Sequence, residues 1–235
     1  MKLAELPPLS LYVHIPWCLR KCPYCDFNSH EKRGELPEAE YINALISDLE
    51  ASLPDVWGRR LHTIFIGGGT PSLFSPQSID RLLTAVRTRL MVDPDTEVTM
   101  EANPGTFEVE RFRGYRAAGV NRLSIGVQSF DDARLAAIGR VHGADEARRA
   151  VASALEIFPT VNTDLMYALP GQTLDVALLG QVAALLVRVE IAIRAFAQAP
   201  RDVGVERERR KLGELDAREI GEGRVRLGHR GIIPR

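Results

Sequence analysis

From Leu9 to Leu178 the chain repeats one theme: a short apolar run rich in β-branched residues, a turn, then apolar residues at helical spacing. The runs are Leu11 to Ile15, Thr63 to Ile66, Glu97 to Glu101, Asn121 to Val127 and Val161 to Tyr167. Between them, Ile42, Leu45, Ile46, Leu49 and Leu53 mark one helix, and Ile79, Leu82, Leu83, Val86 and Leu90 a second. A third is expected from about Phe107 to Gly119, a fourth from a Ser129–Asp132 capping box to Gly139, and a further one over Asp145 to Phe158. Pro37 and the Ser75-Pro76 pair suit helix starts. Five β-then-α units predict an α/β fold with a parallel sheet and right-handed crossovers. Alternation alone fits a doubly wound sheet and a partial barrel equally.

In parallel sheets of either kind, ligands gather at the carboxyl ends of the strands. The conspicuous residues fall there. The second strand runs into Gly67, Gly68, Gly69, Thr70 and Pro71, where missing Cβ atoms let something approach the backbone closely. Glu101 ends the third strand, Gln128 follows the fourth, and Asp164 lies in the fifth. All three cysteines, Cys18, Cys22 and Cys25, sit in the loop after the first strand, stiffened by Pro16 and Pro23. A closed zinc site or an ordinary iron–sulfur cluster takes four protein ligands, and the chain has no fourth cysteine. The trio therefore fits either a cluster with one open iron or a Cys3His zinc site completed by His14 or His30.

CxxxCxxC directly after a first strand resembles the signature of the radical S-adenosylmethionine (SAM) superfamily. The flanking HIPWC and CPYCDFNSH resemble its HemN-like branch, which includes oxygen-independent coproporphyrinogen dehydrogenases and heme chaperones. The resemblance implies a partial (β/α) barrel. It also implies a 4Fe-4S cluster on Cys18, Cys22 and Cys25, with SAM on the open iron. The implied SAM contacts are Tyr12, Tyr24, then Gly68, Gly69 and Thr70 of GGGTP, Glu101 of EANPG, Gln128 of IGVQSF, Arg140, and Asp164 of DLMYALPGQT. Ala168 stands where many relatives have glycine. The implied chemistry is reductive cleavage of SAM, fed by an electron donor such as flavodoxin or ferredoxin.

The dehydrogenase branch carries another cysteine two residues after the third, and here Phe27 occupies that position. This departure points to the heme-chaperone (HemW-like) branch, in which heme is bound and passed to an acceptor protein. Two other readings stay open: an oxidoreductase acting on a porphyrinogen, and a non-functional fragment or zinc-binding module. No catalytic residue is assigned. Of the histidines near the motifs, His14 is expected to support the cysteine loop and His142 to lie beside Arg140, so neither is taken as a heme ligand.

With 45 % hydrophobic residues in 235, the chain can bury a substantial core. A net charge of −1 gives no electrostatic case for nucleic acid. MKLAELPPLS lacks the apolar centre of a signal peptide, and Arg188, Glu190 and Arg194 break the greasiest window, so no membrane span and a cytoplasmic location are expected. The resemblance ends near Leu178. Beyond Gly180 arginine is frequent and Phe196 is the one aromatic residue. We therefore expect a core over 1–180, without a sixth strand or C-terminal domain, and an aberrant, poorly ordered tail over 181–235. Val182, Leu185, Leu186 and Val189 supply the only further helix expected.

Overall fold

The computed structural model describes residues 6–106 and 109–176, and the backbone of 190–195. A six-stranded parallel sheet is formed by β1 (Leu9–Ile15), β4 (Arg60–Gly68), β5 (Met91–Ala102), β6 (Arg122–Gln128), β7 (Thr160–Tyr167) and β8 (Glu190–Ala195), in that spatial order. Two-residue strands β2 (Trp17–Cys18) and β3 (His30–Glu31) form a separate parallel ribbon. The helices are α1 (Glu38–Val56), α2 (Pro76–Arg89), α3 (Val109–Ala118), α4 (Asp132–Ala137) and α5 (Ala144–Ile157). Spatial order follows chain order without reversal. A doubly wound sheet reverses at its switch point, so the winding is that of an open barrel.

Side-chain alternation divides the sheet into two faces. Val13, Ile15, Ile64, Ile66, Val98, Met100, Leu123, Ile125, Val127, Val161 and Leu165 belong to one buried core with residues of the helices. Burying each such side chain contributes about 1.5–3 kcal/mol. The intervening positions are polar, small or, at Phe65, aromatic. Tyr12 pairs with Phe65, Phe65 with Thr99 and Thr99 with Arg122, and one step along lie His14, Gly67, Glu101, Ser124 and Asn162.

Local signals explain the helix ends. Ser75 caps α2, its Oγ accepting from the Ser78 N–H at 3.2 Å, with Pro76 in the first turn. Glu38, in the first turn of α1, accepts from the Ser75 N–H at 2.9 Å and from both serine hydroxyls at 2.6 Å, so one carboxylate ties the starts of α1 and α2. Pro37 precedes α1 as its cap and is not its first helical residue. The expected Ser129–Asp132 box is not formed. Asp131 caps α4 by accepting from the Arg134 N–H at 2.9 Å, while Ser129 Oγ accepts from the Asp131 N–H at 3.2 Å, because the chain stays extended through Asp131.

The expectation of no sixth strand is corrected. β8 pairs in register with β7 from Asn162 to Tyr167. Glu190 and Arg194 interrupt the apolar run in this segment, and they obscured the strand propensity of Ile191 and Ile193. The expected helix over Val182 to Val189, the boundary near 180 and the rest of the tail lie outside the described residues. Among the described residues, no helix is long and apolar enough to cross a membrane.

Two backbone sites give direct predictions. Ala168 has φ +58°, a left-handed conformation that costs a residue with a Cβ. Ala168→Gly should raise the urea midpoint, with a net gain of about 0.5–1 kcal/mol after the entropy cost of glycine. Gly119, at φ +104°, ends α3 where a Cβ would run into the Arg87 guanidinium, which itself donates to the Ala118 carbonyl at 3.0 Å. Gly119→Ala should lower the midpoint, by about 1–3 kcal/mol.

Candidate functional site

The cysteine loop is pinned to the carboxyl end of β4. The Gly69 N–H donates to the Ile15 carbonyl at 2.8 Å and the Thr70 N–H to the Trp17 carbonyl at 2.7 Å. Glycine is required because a Cβ on Gly68 would lie 2.8 Å from the Ile15 carbonyl oxygen, and one on Gly69 2.6 Å from that of Trp17. A Cβ on Gly67 would meet the Phe65 ring at 2.6 Å. The side of the turn on which each Cβ would stand is therefore occupied by the chain itself. At its base the loop is closed by the β2–β3 ribbon, with the His30 N–H on the Pro16 carbonyl at 2.7 Å and the Lys32 N–H on that of Cys18 at 2.8 Å. Lys21 Nζ crosses the loop to the Phe27 and Ser29 carbonyls at 3.3 and 3.1 Å.

All three thiols are free and partly buried. Burial pushes the Cys18 thiol up; hydrogen bonds from Thr70 and Ser29 pull it down, and the neighbouring Cys25 and Cys22 push it up again. Arg140 Nη1 lies 3.7 Å from Cys22 Sγ, and its Nη2 donates to Asn103 Oδ1 and to the Gly126 carbonyl, both at 2.6 Å. Asn103 Nδ2 in turn donates to Thr70 Oγ1 at 2.8 Å. Leu19, Arg20, Cys22, Thr70, Asn103 and Arg140 line a small open cleft.

The remaining expected residues stand around this cleft or one step below it. Tyr24 packs on Ile138, Met166 and Leu169. Burial is the largest influence on its phenol and raises it to about 12, against the pull of Arg140 and with a push from Cys22. Glu101 Oε2 accepts from the Gly68 N–H at 3.1 Å, so this carboxylate is held beneath the glycine turn. Gln128 is buried at φ +68°, a strained conformation at a strand end of the kind that marks functional sites. Asp164 lies deeper on the same face, accepting from Asn162 Nδ2 at 3.0 Å, while that amide also donates to Ser124 Oγ at 2.8 Å. Tyr12 sits at the sheet edge, half exposed, its hydroxyl on His14 Nδ1 at 2.9 Å and its ring stacked on Phe65. Cys18, Cys22, Tyr24, Thr70 and Arg140 thus form one contact network, to which Glu101 is joined through Gly68; Tyr12 and Asp164 belong to the same face.

His14 supports the loop. Its Nε2–H donates to the Asn28 carbonyl at 2.8 Å, which leaves Nδ1 to accept from Tyr12, so both ring nitrogens are engaged. His142 donates Nε2–H to the Val127 carbonyl at 3.1 Å and is buried. Burial first, then Arg140, lowers it to about 4, so at neutral pH it is an uncharged neighbour of the arginine. Sequence reasoning missed Asn103 and Gly126. Both lie inside quoted motifs, EANPG and IGVQSF, at strand ends, and that placement was the available signal.

Five buried side-chain polar atoms have no hydrogen-bond partner among the described residues: Arg134 Nε, His142 Nδ1, Thr163 Oγ1 and, at the site, the donor Arg140 Nε and the acceptor Gln128 Oε1. A guanidinium N–H suits a carboxylate and an amide oxygen suits an ammonium or hydroxyl. An amino-acid moiety carries both.

Residues 12–178 match the model of the Radical SAM superfamily. The chain is 54 % identical over 178 residues to "Heme chaperone HemW" of Escherichia coli, covering 75 % of this chain and 47 % of that protein. It is 44 % identical over 167 residues to the mouse "Radical S-adenosyl methionine domain-containing protein 1, mitochondrial", covering 71 % and 38 %. Among solved structures it superposes on coproporphyrinogen III oxidase (HemN) from Escherichia coli with a TM-score of 0.76 at 27 % identity, covering 89 % of this chain and 52 % of that one. The chain spans about half the length of the curated relatives it matches. With the cysteine loop seated on an open parallel barrel and the family model matched across it, this chain belongs to the radical SAM superfamily.

Proposed function

We propose that this chain holds a 4Fe-4S cluster on Cys18, Cys22 and Cys25, binds SAM beside it, and acts as a heme chaperone that takes up heme and passes it to acceptor proteins. The observation that carries the cofactor part is the Arg140 guanidinium, whose Nη1 lies 3.7 Å from Cys22 Sγ while its Nε, like Gln128 Oε1, has no partner among the described residues. Among the described residues, no trio of histidine, cysteine, aspartate or glutamate side chains gathers on one point fit for a single metal ion.

In this reading Arg140 holds the SAM carboxylate, and Gln128 with the glycine turn and Glu101 faces the amino and ribose groups. Tyr12, Tyr24 and Asp164 complete the wall. The bound cofactors supply the redox chemistry; the protein orients them and excludes water. Heme handling is supported by the resemblance to chaperones named for it and by Phe27 in place of the dehydrogenase cysteine. Residues 1–180 are proposed as the cofactor-binding core. The partners are heme, an acceptor protein and a flavodoxin- or ferredoxin-like donor, and free clustered thiols fit the reducing cytoplasm. The structural likeness to HemN favours a second reading, oxidation of a porphyrinogen.

Anaerobic reconstitution with iron and sulfide should give a chain with about four irons, whose reduced paramagnetic resonance spectrum changes when SAM is added. Cys22→Ser should abolish that spectrum. Zinc in place of iron, or a spectrum indifferent to SAM, would sink the cofactor reading. On the same sample, heme titration should saturate with little 5′-deoxyadenosine formed; nucleoside release dependent on coproporphyrinogen would shift the assignment to the oxidoreductase.

A further inference from the structure

Asn103 lies at the carboxyl end of β5 between two groups that touch different cysteines. Its carboxamide has only one possible orientation, because a guanidinium can only donate. Oδ1 therefore faces Arg140 Nη2 at 2.6 Å and Nδ2 faces Thr70 Oγ1 at 2.8 Å. By donating to Thr70, the amide occupies an acceptor site on that oxygen, fixes the side chain beside Cys18 and leaves its single O–H to donate elsewhere. By accepting from Nη2, it turns the guanidinium so that Nη1 reaches Cys22 Sγ. The arrangement is built in. Gly126 donates no Cβ, which would stand 2.8 Å from Asn103 Oδ1 and 3.4 Å from Arg140 Nη2, and the Asn103 N–H is held on Ser72 Oγ at 3.4 Å.

We propose that Asn103 is a positioning residue that aims the Arg140 guanidinium at the Cys22 thiolate and holds the Thr70 hydroxyl beside Cys18, and thereby raises the cluster's reduction potential. The inference rests on the cluster reading above. An electron added to the cluster increases the negative charge on its sulfurs, and donors pointed at those sulfurs stabilise the reduced form more than the oxidised one. Linked donors also polarise one another, so a single amide strengthens both arms.

The test uses the full chain, reconstituted anaerobically, with iron and sulfide content measured before each redox titration. Asn103→Leu removes both arms without adding charge. It should move the midpoint to more negative potential, raise the iron–cysteine stretching frequency in resonance Raman spectra, and let a chelator strip iron about 10-fold faster. Thr70→Val should move the midpoint the same way, and the double variant should move it by less than the sum, since both changes remove the Cys18 arm. Should Asn103→Leu fail to take up iron, Asn103→Ser, whose hydroxyl is too short to bridge both partners, should give the same shifts. A wild-type midpoint in a fully loaded Asn103 variant, or strictly additive shifts, overturns the proposal while leaving the cluster reading intact. A wild-type chain that loads zinc and no iron overturns both.

Discussion

The site depends on one close backbone contact. The carboxyl end of β4 lies against the chain leaving β1 closely enough for two N–H groups to bond the carbonyls of Ile15 and Trp17, and only Cβ-free residues permit it at Gly68 and Gly69. That contact seats the cysteine loop, and everything that bears on the sulfurs is measured from it. Thr70 follows the glycines directly and so arrives beside Cys18; Glu101 reaches the same turn from β5 through the Gly68 N–H. A side chain at either glycine would lift the loop from its seat, displacing donors and thiols together.

The second constraint is the division of the sheet. One face carries the hydrophobic burial that stabilises the fold; the other carries Glu101, Ser124, Gln128, Asn162 and Asp164. A closed eight-stranded barrel fills its interior with branched apolar side chains. Here the inner face is polar and its groups are bonded to one another, as with Asn162 between Ser124 and Asp164. Function is thereby kept off the surface that folding uses, and polar substitutions on one face need not disturb packing on the other. Among the described residues, the non-glycine positions with left-handed backbone are at strand ends, Gln128 and Ala168.

The strands and most helices were legible in the sequence because their signals are local: period-two burial, apolar residues at helical spacing, Ser75 before Pro76. The cysteine loop was legible for the same reason. What escaped reading depends on distance in the chain. Asn103 matters because residues 33 and 37 positions away, Thr70 and Arg140, converge on it, and no local pattern encodes that. The role of the glycine turn was half read: close approach was inferred, but its partner is the chain's own backbone. β8 was missed because Arg194 breaks its apolar pattern, whereas its pairing is a property of backbone register with β7.

Because each strand of the main sheet pairs with the one before it in sequence, the sheet can grow by addition as the chain leaves the ribosome, with no strand waiting for a distant successor. The backbone bonds that tie the thiol loop to β4 lie within the first seventy residues, whereas Arg140 and the residues packed on Tyr24 emerge only later. The emerging chain can therefore close the loop's backbone contacts before it supplies the guanidinium that faces Cys22, and that side of the thiol is covered only once β6 and the turn after α4 are in place.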